Sequence, residues 1–544
     1  MKALAAALLA SWAAAAGAPH GRADRAYYYE QIFQPFFQRR GDEYRSSRPG
    51  SSPGSFAAVK AANGLRVFVI GGSIANRYMS SPDGGDLGRA LALVLPSRRV
   101  EALNCGMNGY DSYREAMLVE EALEHQPDLI VLMTGHNEAI ASPPVPLWTL
   151  HAADRLSRLR AFRALVAELR PGVDPGAAPD AARRRDEAFE RNLTSMIRKA
   201  RAAGVVVAVV SPPLNYRDAP SQAPLPAEDP RFVAGWLRRL RGDDAGAVAA
   251  WSALGAGPSY AGALFYRARA LERLGRLEAA RSDYRAALAA DADLGGRCGP
   301  RCRRIMRGVA AREGAVWVDV DGAFLRRARP GLPGLDMFQD TVHWRHAYDA
   351  MVSAAIVGAL RAAPDSRKWP WSRAGLAALR RSAAAPAGPP SLEDDLATLR
   401  YALVELRRSD GRLSARGLAF LSAVEERRPG WFAGPEALLR RASSGGRIQW
   451  PWSSRPLELA PAPGMLAWHL GELRLERGQL EPARALLARA VAEEPRLSGA
   501  RLDLAAAQAW SGRAGQAAEQ LDAAAAGGGA VAREAAWYRA ALLP

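Results

Sequence analysis

The stretch Arg66-Val67-Phe68-Val69-Ile70-Gly71-Gly72-Ser73-Ile74-Ala75 decides the fold. Its apolar run from Val67 to Ile70 has the character of a strand buried on both faces of a parallel sheet. Gly71 and Gly72 allow a sharp turn with close backbone approach. Ser73 then falls at the C-terminal edge of that strand and at the start of the next helix. Ligands of open α/β sheets bind at this edge, and helix N-termini favour developing negative charge. A Gly-Gly-Ser turn alone assigns nothing; three further stretches give it meaning.

Outward from this strand, apolar runs alternate with helical periodicity. Residues 87–95 read as a helix, 100–104 as a short strand, 112–125 as a helix and 128–133 as a third, buried strand. A helical pattern over 186–203 precedes a fourth strand at 205–210, and the sheet pattern resumes at 314–320 before a closing helix at 347–360. The alternation predicts an α/β fold with a doubly wound parallel sheet. Between the fourth strand and the resumption, residues 232–290 are helical with an internal repeat. Gly242, Ala247, Trp251 and Leu254 recur 33 positions later as Gly275, Ala280, Tyr284 and Ala287. Near the C-terminus Gly478, Ala483, Leu487 and Ala490 recur 34 positions later as Gly512, Ala517, Leu521 and Ala524. This spacing matches paired helices of the tetratricopeptide type, in which small residues let helices approach and large ones fill the layer between repeats.

The expected organisation is a signal peptide or N-terminal anchor over 1–18, a lead-in arm with little regular structure over 19–61, and the sheet domain over 62–225 and 296–363. The helical insert occupies 226–295, a Pro/Ala/Ser-rich linker 364–391, and an all-α tetratricopeptide-like domain 392–544. Within the last, 391–430 reads as a degenerate unit and Trp450-Pro451-Trp452 as an irregular connector. The apolar run ending in Ala16-Gly17-Ala18 resembles a secretory signal, although Pro19 disfavours cleavage there, which leaves an uncleaved anchor and membrane association through the N-terminus open. The expected location is extracytoplasmic. Cys298 and Cys302 can close a small disulfide loop in an oxidising compartment, leaving Cys105 over and buried. No second Cys/His pair has zinc-site spacing.

The 544 residues carry a net charge of +17, nearly all of it from arginine. The arginines are scattered among alanines, and no nucleic-acid-binding signature accompanies them, so the charge reads as solvated helix faces.

Three stretches carry chemistry beside Ser73. Residues 104–110, Asn-Cys-Gly-Met-Asn-Gly-Tyr, follow the second strand, and Gly109 can offer an unhindered backbone N–H. Thr134-Gly135-His136-Asn137-Glu138 follows the third strand, where four polar residues are expensive unless satisfied or functional; the Asn137 amide is a competent oxyanion donor. In Asp336-Met337-Phe338-Gln339-Asp340-Thr341-Val342-His343-Trp344, Asp340 can fix the tautomer of His343, whose other nitrogen can take a proton from a serine.

These blocks, in this order, resemble the SGNH/GDSL hydrolase superfamily, with Gly71-Gly72-Ser73, Gly109, Gly135-His136-Asn137-Glu138 and Asp340-Thr341-Val342-His343 as its four motifs. The chain most resembles the extracytoplasmic branch that carries Gly-His-Asn-Glu and tetratricopeptide units. The resemblance implies a flavodoxin-like three-layer sheet domain with Ser73 as nucleophile, His343 as general base and acid, and Asp340 as its orienting partner. It implies an oxyanion hole made by the Ser73 N–H, the Gly109 N–H and the Asn137 side chain, and no cofactor or metal. Gly72 departs from the usual Asp of the first motif. Asn76, Arg77 and Asn215, which follow strand edges, and His136 and Glu138, which flank Asn137, are candidates for lining the substrate site. The function so implied is a serine esterase acting on an acyl (for example acetyl) ester of an envelope or extracellular glycan or lipid, with the helices binding a protein partner. An O-acyltransferase using the same triad and a tetratricopeptide scaffold with a vestigial hydrolase domain are the competing readings.

Overall fold

The structure, a computed structural model, describes residues 35–48, 51–81, 86–138, 181–221, 225–226, 229–255, 260–292, 297–328, 331–388 and 463–543, with a few positions between 394 and 458. The N-terminal signal or anchor and the Trp450-Pro451-Trp452 connector lie outside the described residues, as does nearly all of the degenerate repeat. The chain divides into two compact units. The first contains residues 1–214, 295–327 and 342–389, and the second residues 215–294, 328–341 and 390–544.

In chain order, three short strands (β1, Phe37–Arg40; β2, Glu43–Ser46; β3, Ser55–Ala57) lead into β4 (Gly64–Gly71). Next come α1 (Ser73–Tyr78), α2 (Leu87–Val94), β5 (Arg99–Gly106), α3 (Ser112–Leu123), β6 (Leu129–Met133), α4 (Ala181–Ala202) and β7 (Val206–Val210). The insert holds α5 (Pro230–Leu240), α6 (Asp244–Ser252), α7 (Ala261–Arg273) and α8 (Leu277–Ala292). The first unit resumes with α9 (Pro300–Arg312), β8 (Val316–Val318), α10 (Val320–Arg327), α11 (Asp349–Ala362) and α12 (Arg373–Ala384). The C-terminal helices are α13 (Pro463–Glu476), α14 (Leu480–Glu493), α15 (Ser498–Trp510), α16 (Ala514–Ala525) and α17 (Gly529–Leu542).

In the first unit, β4 to β8 form an all-parallel sheet in the order β5-β4-β6-β7-β8. This is the doubly wound order of flavodoxin-like folds. Side chains alternate across the strands. Phe68, Ile70, Ile130, Leu132, Val207 and Val209 pack with α3, α4 and α9 through residues such as Val119, Leu193, Ile197 and Val309. The opposite face is covered by α2 and α11, which bury Leu91, Val94, Val352 and Ile356. Gly71 stands in register with Gly106 of β5 and Met133 of β6. The residues after all three strands therefore emerge side by side.

Two expectations are corrected in this unit. The described part of the lead-in arm is a regular antiparallel sheet, β1-β2-β3. It is held because Phe36, Phe37 and Phe56 join the core beside Phe68, and because the Phe36 and Phe37 N–H groups donate to the Glu121 carboxylate at 2.9 and 2.8 Å. The segment read as a linker contains α12, capped by the Ser372 hydroxyl, which accepts from the Gly375 N–H. It docks on α2 through buried Leu376 and Leu379. Gly375 permits that contact, since a Cβ there would lie 2.1 Å from the Leu93 carbonyl oxygen.

Among the described residues the second unit is helical apart from one short antiparallel pair, Arg447–Ile448 with Leu457–Glu458. Each repeat is a helix pair joined through a glycine at positive φ: Gly242 (74°), Gly275 (73°), Gly478 (69°) and Gly512 (76°). The paired small and large residues are buried as the periodicity predicts. The insert and the C-terminal helices, expected to be separate, belong to one unit. Val233 and Leu237 of α5 share a core with Leu502, Ala505, Leu521 and Tyr538. Arg239 of α5 is buried, stacks 3.9 Å from the Trp236 ring centroid and pairs with Glu476 of α13.

Arg66 ties the antiparallel sheet to β4. It is buried, donates from Nε to Glu101 at 2.9 Å, and from its two terminal nitrogens to the His125 and Ala57 carbonyls at 2.8 and 2.7 Å. It also lies 4.7 Å from the Phe56 ring centroid. Arg66→Ala leaves Glu101 and two carbonyls without these donors and should cost about 3–5 kcal/mol. Urea unfolding measures the loss, and faster hydrogen exchange across residues 37–57 localises it.

Candidate active site

Three of the four sequence motifs emerge at the C-terminal edge of the sheet, from the in-register ends of β4, β5 and β6. Ser73 is the first residue of α1, where backbone N–H groups have no partner within the helix. Its Oγ lies 2.7 Å from Nε2 of His343, a separation that permits direct proton transfer. Both side chains keep partial solvent exposure. The segment after His343 is held by side-chain hydrogen bonds to Asp349. The Trp344 indole donates to Asp349 at 2.7 Å, and His346 Nδ1 lies 2.6 Å from the other Asp349 oxygen. Arg77, one turn after Ser73, donates to the Trp344 carbonyl.

Asn137 lies close to the turn that presents Ser73. Its amide nitrogen donates to the Tyr110 carbonyl at 2.8 Å, leaving one of its two N–H groups for another acceptor. A Cβ on Gly72 would come within 2.4 Å of the same nitrogen. The departure from Asp at this position thus has a steric reason: any side chain would displace Asn137. Gly109 has φ of 73°, and a Cβ there would meet nothing within 4 Å, so this loop is open as well as left-handed. Its carbonyl is held by Arg114, whose guanidinium lies 4.6 Å from the Tyr110 ring centroid.

Asp340 is buried. Its backbone carbonyl accepts from the Asn215 side chain at 3.0 Å, the Asn215 N–H donates to the Thr341 carbonyl at 3.1 Å, and Asn215 Oδ1 accepts from the Asp218 N–H at 2.9 Å.

The residues expected to line the substrate site make contacts within the protein. Asn76, Arg77, His136 and Asn215 are all buried, and each makes at least one hydrogen bond to backbone or side chains of neighbouring loops. Asn76 Oδ1 accepts from Ser52 and Asn104 at 2.6 and 3.1 Å, and His136 Nδ1 accepts from the Cys298 N–H at 3.2 Å. Glu138 accepts from the Ser112 N–H and hydroxyl at 2.8 and 2.7 Å, anchoring the Asn137 loop to the start of α3. Asn192 of α4 donates to the same hydroxyl at 3.0 Å. Sequence reading missed Ser112, Asn192 and Asp349; their only signal was a polar residue on a helix otherwise packed against the sheet. Cys298 and Cys302 are disulfide-bonded, and Cys105 is a buried free thiol. Among the described residues no group of His, Cys, Asp or Glu is arranged to hold a metal ion, and no helix is long and apolar enough to cross a membrane.

Residues 69–268 match the GDSL-like lipase/acylhydrolase family. This match agrees with the resemblance to the SGNH/GDSL hydrolase superfamily carried by the sequence motifs. The match takes in the second half of β4 and the first three motifs, and stops inside the insert, before Asp340 and His343. Among solved structures, a GDSL-like lipase from Bacteroides thetaiotaomicron is 13% identical, with 56% of this chain and 90% of that one covered and a TM-score of 0.27. A catalytic mutant of an acetylxylan esterase from Geobacillus stearothermophilus is 12% identical, with 56% and 95% covered and a TM-score of 0.27. No curated protein matches the chain significantly. The match to an acylhydrolase family supports ester-bond hydrolysis as the chemistry of this domain.

Burial of the Glu138 carboxyl, reinforced by the charge of Asp111, pushes its pKa up to about 8, against the hydrogen bonds from Ser112 and the charge of Arg114. Burial and the Glu138 charge likewise push Glu115 well up. The folded protein therefore holds a proton on Glu138 that the unfolded chain releases near the ordinary value of 4.5. The stabilisation is complete below that value and is lost as pH rises through about 8. Thermal unfolding from pH 6 to 9 should show a falling midpoint, and Glu138→Gln should flatten the fall.

Proposed function

We propose that the protein is an extracytoplasmic serine esterase of the GDSL type, cleaving an acyl ester on a glycan or lipid. The observation that carries this reading is the 2.7 Å approach of His343 Nε2 to Ser73 Oγ at the start of α1. His343 takes the Ser73 proton as Oγ bonds to the ester carbonyl carbon, and the carbonyl electron pair moves onto oxygen. The Ser73 and Gly109 N–H groups and the second N–H of Asn137 receive that oxyanion. Collapse expels the alkoxide, which takes the proton from His343, and water repeats the sequence on the acyl-enzyme to release the acid. Asp340, three residues before His343 and buried, serves as the orienting carboxylate. The helical repeats supply a surface for a protein partner.

Replacing the nucleophile should remove turnover. Ser73→Ala is expected to lower kcat on an aryl acetate by about 10⁴–10⁶-fold, with an unchanged circular dichroism spectrum; comparable turnover would discard the assignment. Asn137→Ala should lower kcat by about 10²–10³-fold, with KM nearly unchanged, since an oxyanion donor acts in the transition state. Assay with a glycan acceptor present separates the two acyl-transfer chemistries: free acid supports the esterase, and acylated glycan an O-acyltransferase.

A further inference from the structure

The loop that carries Asn137 is backed by the disulfide. Gly135 has φ of 106°, and a Cβ built on it would come to 3.0 Å from both Cys298 Sγ and Cys302 Sγ. The Cys302 sulfur lies 3.9 Å from the Gly135 carbonyl oxygen. On the same side, the Cys298 N–H donates to Nδ1 of His136. The two residues immediately before Asn137 thus rest on the bridged loop, one by packing and one by a hydrogen bond. On the other side of Asn137, Glu138 is tied to Ser112 and the amide itself to Tyr110. The bridge precedes and opens α9, with Gly299 and Pro300 inside it. Cys298 is buried, whereas Cys302 keeps partial exposure, so a small reductant has a route to one sulfur.

We propose that the Cys298–Cys302 disulfide is a thiol-sensitive clamp that positions Asn137, so that its reduction turns the esterase down reversibly. The proposal rests on the reading of Asn137 as an oxyanion donor. A dithiol supplies two electrons and two protons; the S–S bond breaks, two S–H bonds form, and the dithiol closes to its own disulfide. The freed thiols move apart, Gly135 loses its backing, and the Cys298 N–H no longer fixes the His136 ring. Oxyanion donors act only when held in place in advance, so a loosened Asn137 loses transition-state stabilisation while ester binding persists.

With only three cysteines in the chain, a reductant has one intramolecular target. The full-length protein is assayed on an aryl acetate before and after dithiothreitol, with thiols titrated, and again after reoxidation by glutathione disulfide. Hydrogen exchange of the peptide spanning 134–138 is followed in parallel. The expected result is a kcat lowered about tenfold or more, approaching the loss of one donor, with KM within about twofold and recovery on reoxidation. Exchange at 134–138 should quicken while β4 and β6 stay protected. The Cys298→Ser/Cys302→Ser double variant should sit at the reduced level and ignore dithiothreitol. Unchanged kcat and unchanged exchange, once two new thiols are titrated, would overturn the clamp. An oxidised wild type with no turnover would instead refute the esterase reading, and the exchange measurement alone would then decide the clamp.

Discussion

Everything at the candidate site depends on the parallel register of β4 with its two neighbours. Gly71 pairs with Gly106 on one side and Met133 on the other, so three loops leave the sheet at the same level. A one-residue slip of either neighbour would exchange its buried faces and carry Gly109 or Asn137 about 3.3 Å along the strand. The apolar side chains of Val67 to Ile70 and their partners exclude such a slip. Hydrophobic packing on both faces of the sheet thereby sets distances between polar groups that never touch the core.

Crowding is the second constraint. The edge is assembled so tightly that Gly72 and Gly135 sit where any Cβ would meet the Asn137 amide or the disulfide sulfurs. Among the described residues, several polar side chains of the motifs and their neighbours face one another or backbone groups. Arg77 holds the carbonyl after His343, Asn215 the carbonyl of Asp340, and Glu138 the start of α3. Buried polar networks of this kind narrow the arrangements open to the loops that carry the motifs.

How much of this could be read from the chain depends on range. Strands buried on both faces are continuous apolar runs, so β4, β6 and β7 were plain, as were repeats whose small and large residues recur at fixed spacing. The β1–β3 sheet was not, because its strands are short and carry Gln and Arg on exposed positions. Helix α12 hid in a stretch rich in alanine and arginine, with two leucines as its buried anchors. The supporting roles of Asn76, Arg77 and Asn215 were illegible for another reason: a polar residue after a strand looks the same whether it faces solvent or a carbonyl. The union of the insert with the tail has no local signature at all, since Arg239 and Glu476 are 237 residues apart.

That separation has a consequence for synthesis. A chain emerging from the ribosome exposes α5 long before its partners exist. Val233 and Leu237 stay without Leu502, Leu521 and Tyr538, and Arg239 without Glu476, until those distant residues have been added. The shared core of the helical unit therefore closes only after α13 to α17 have been made, and until then α5 lacks these partners for its apolar face and its buried charge.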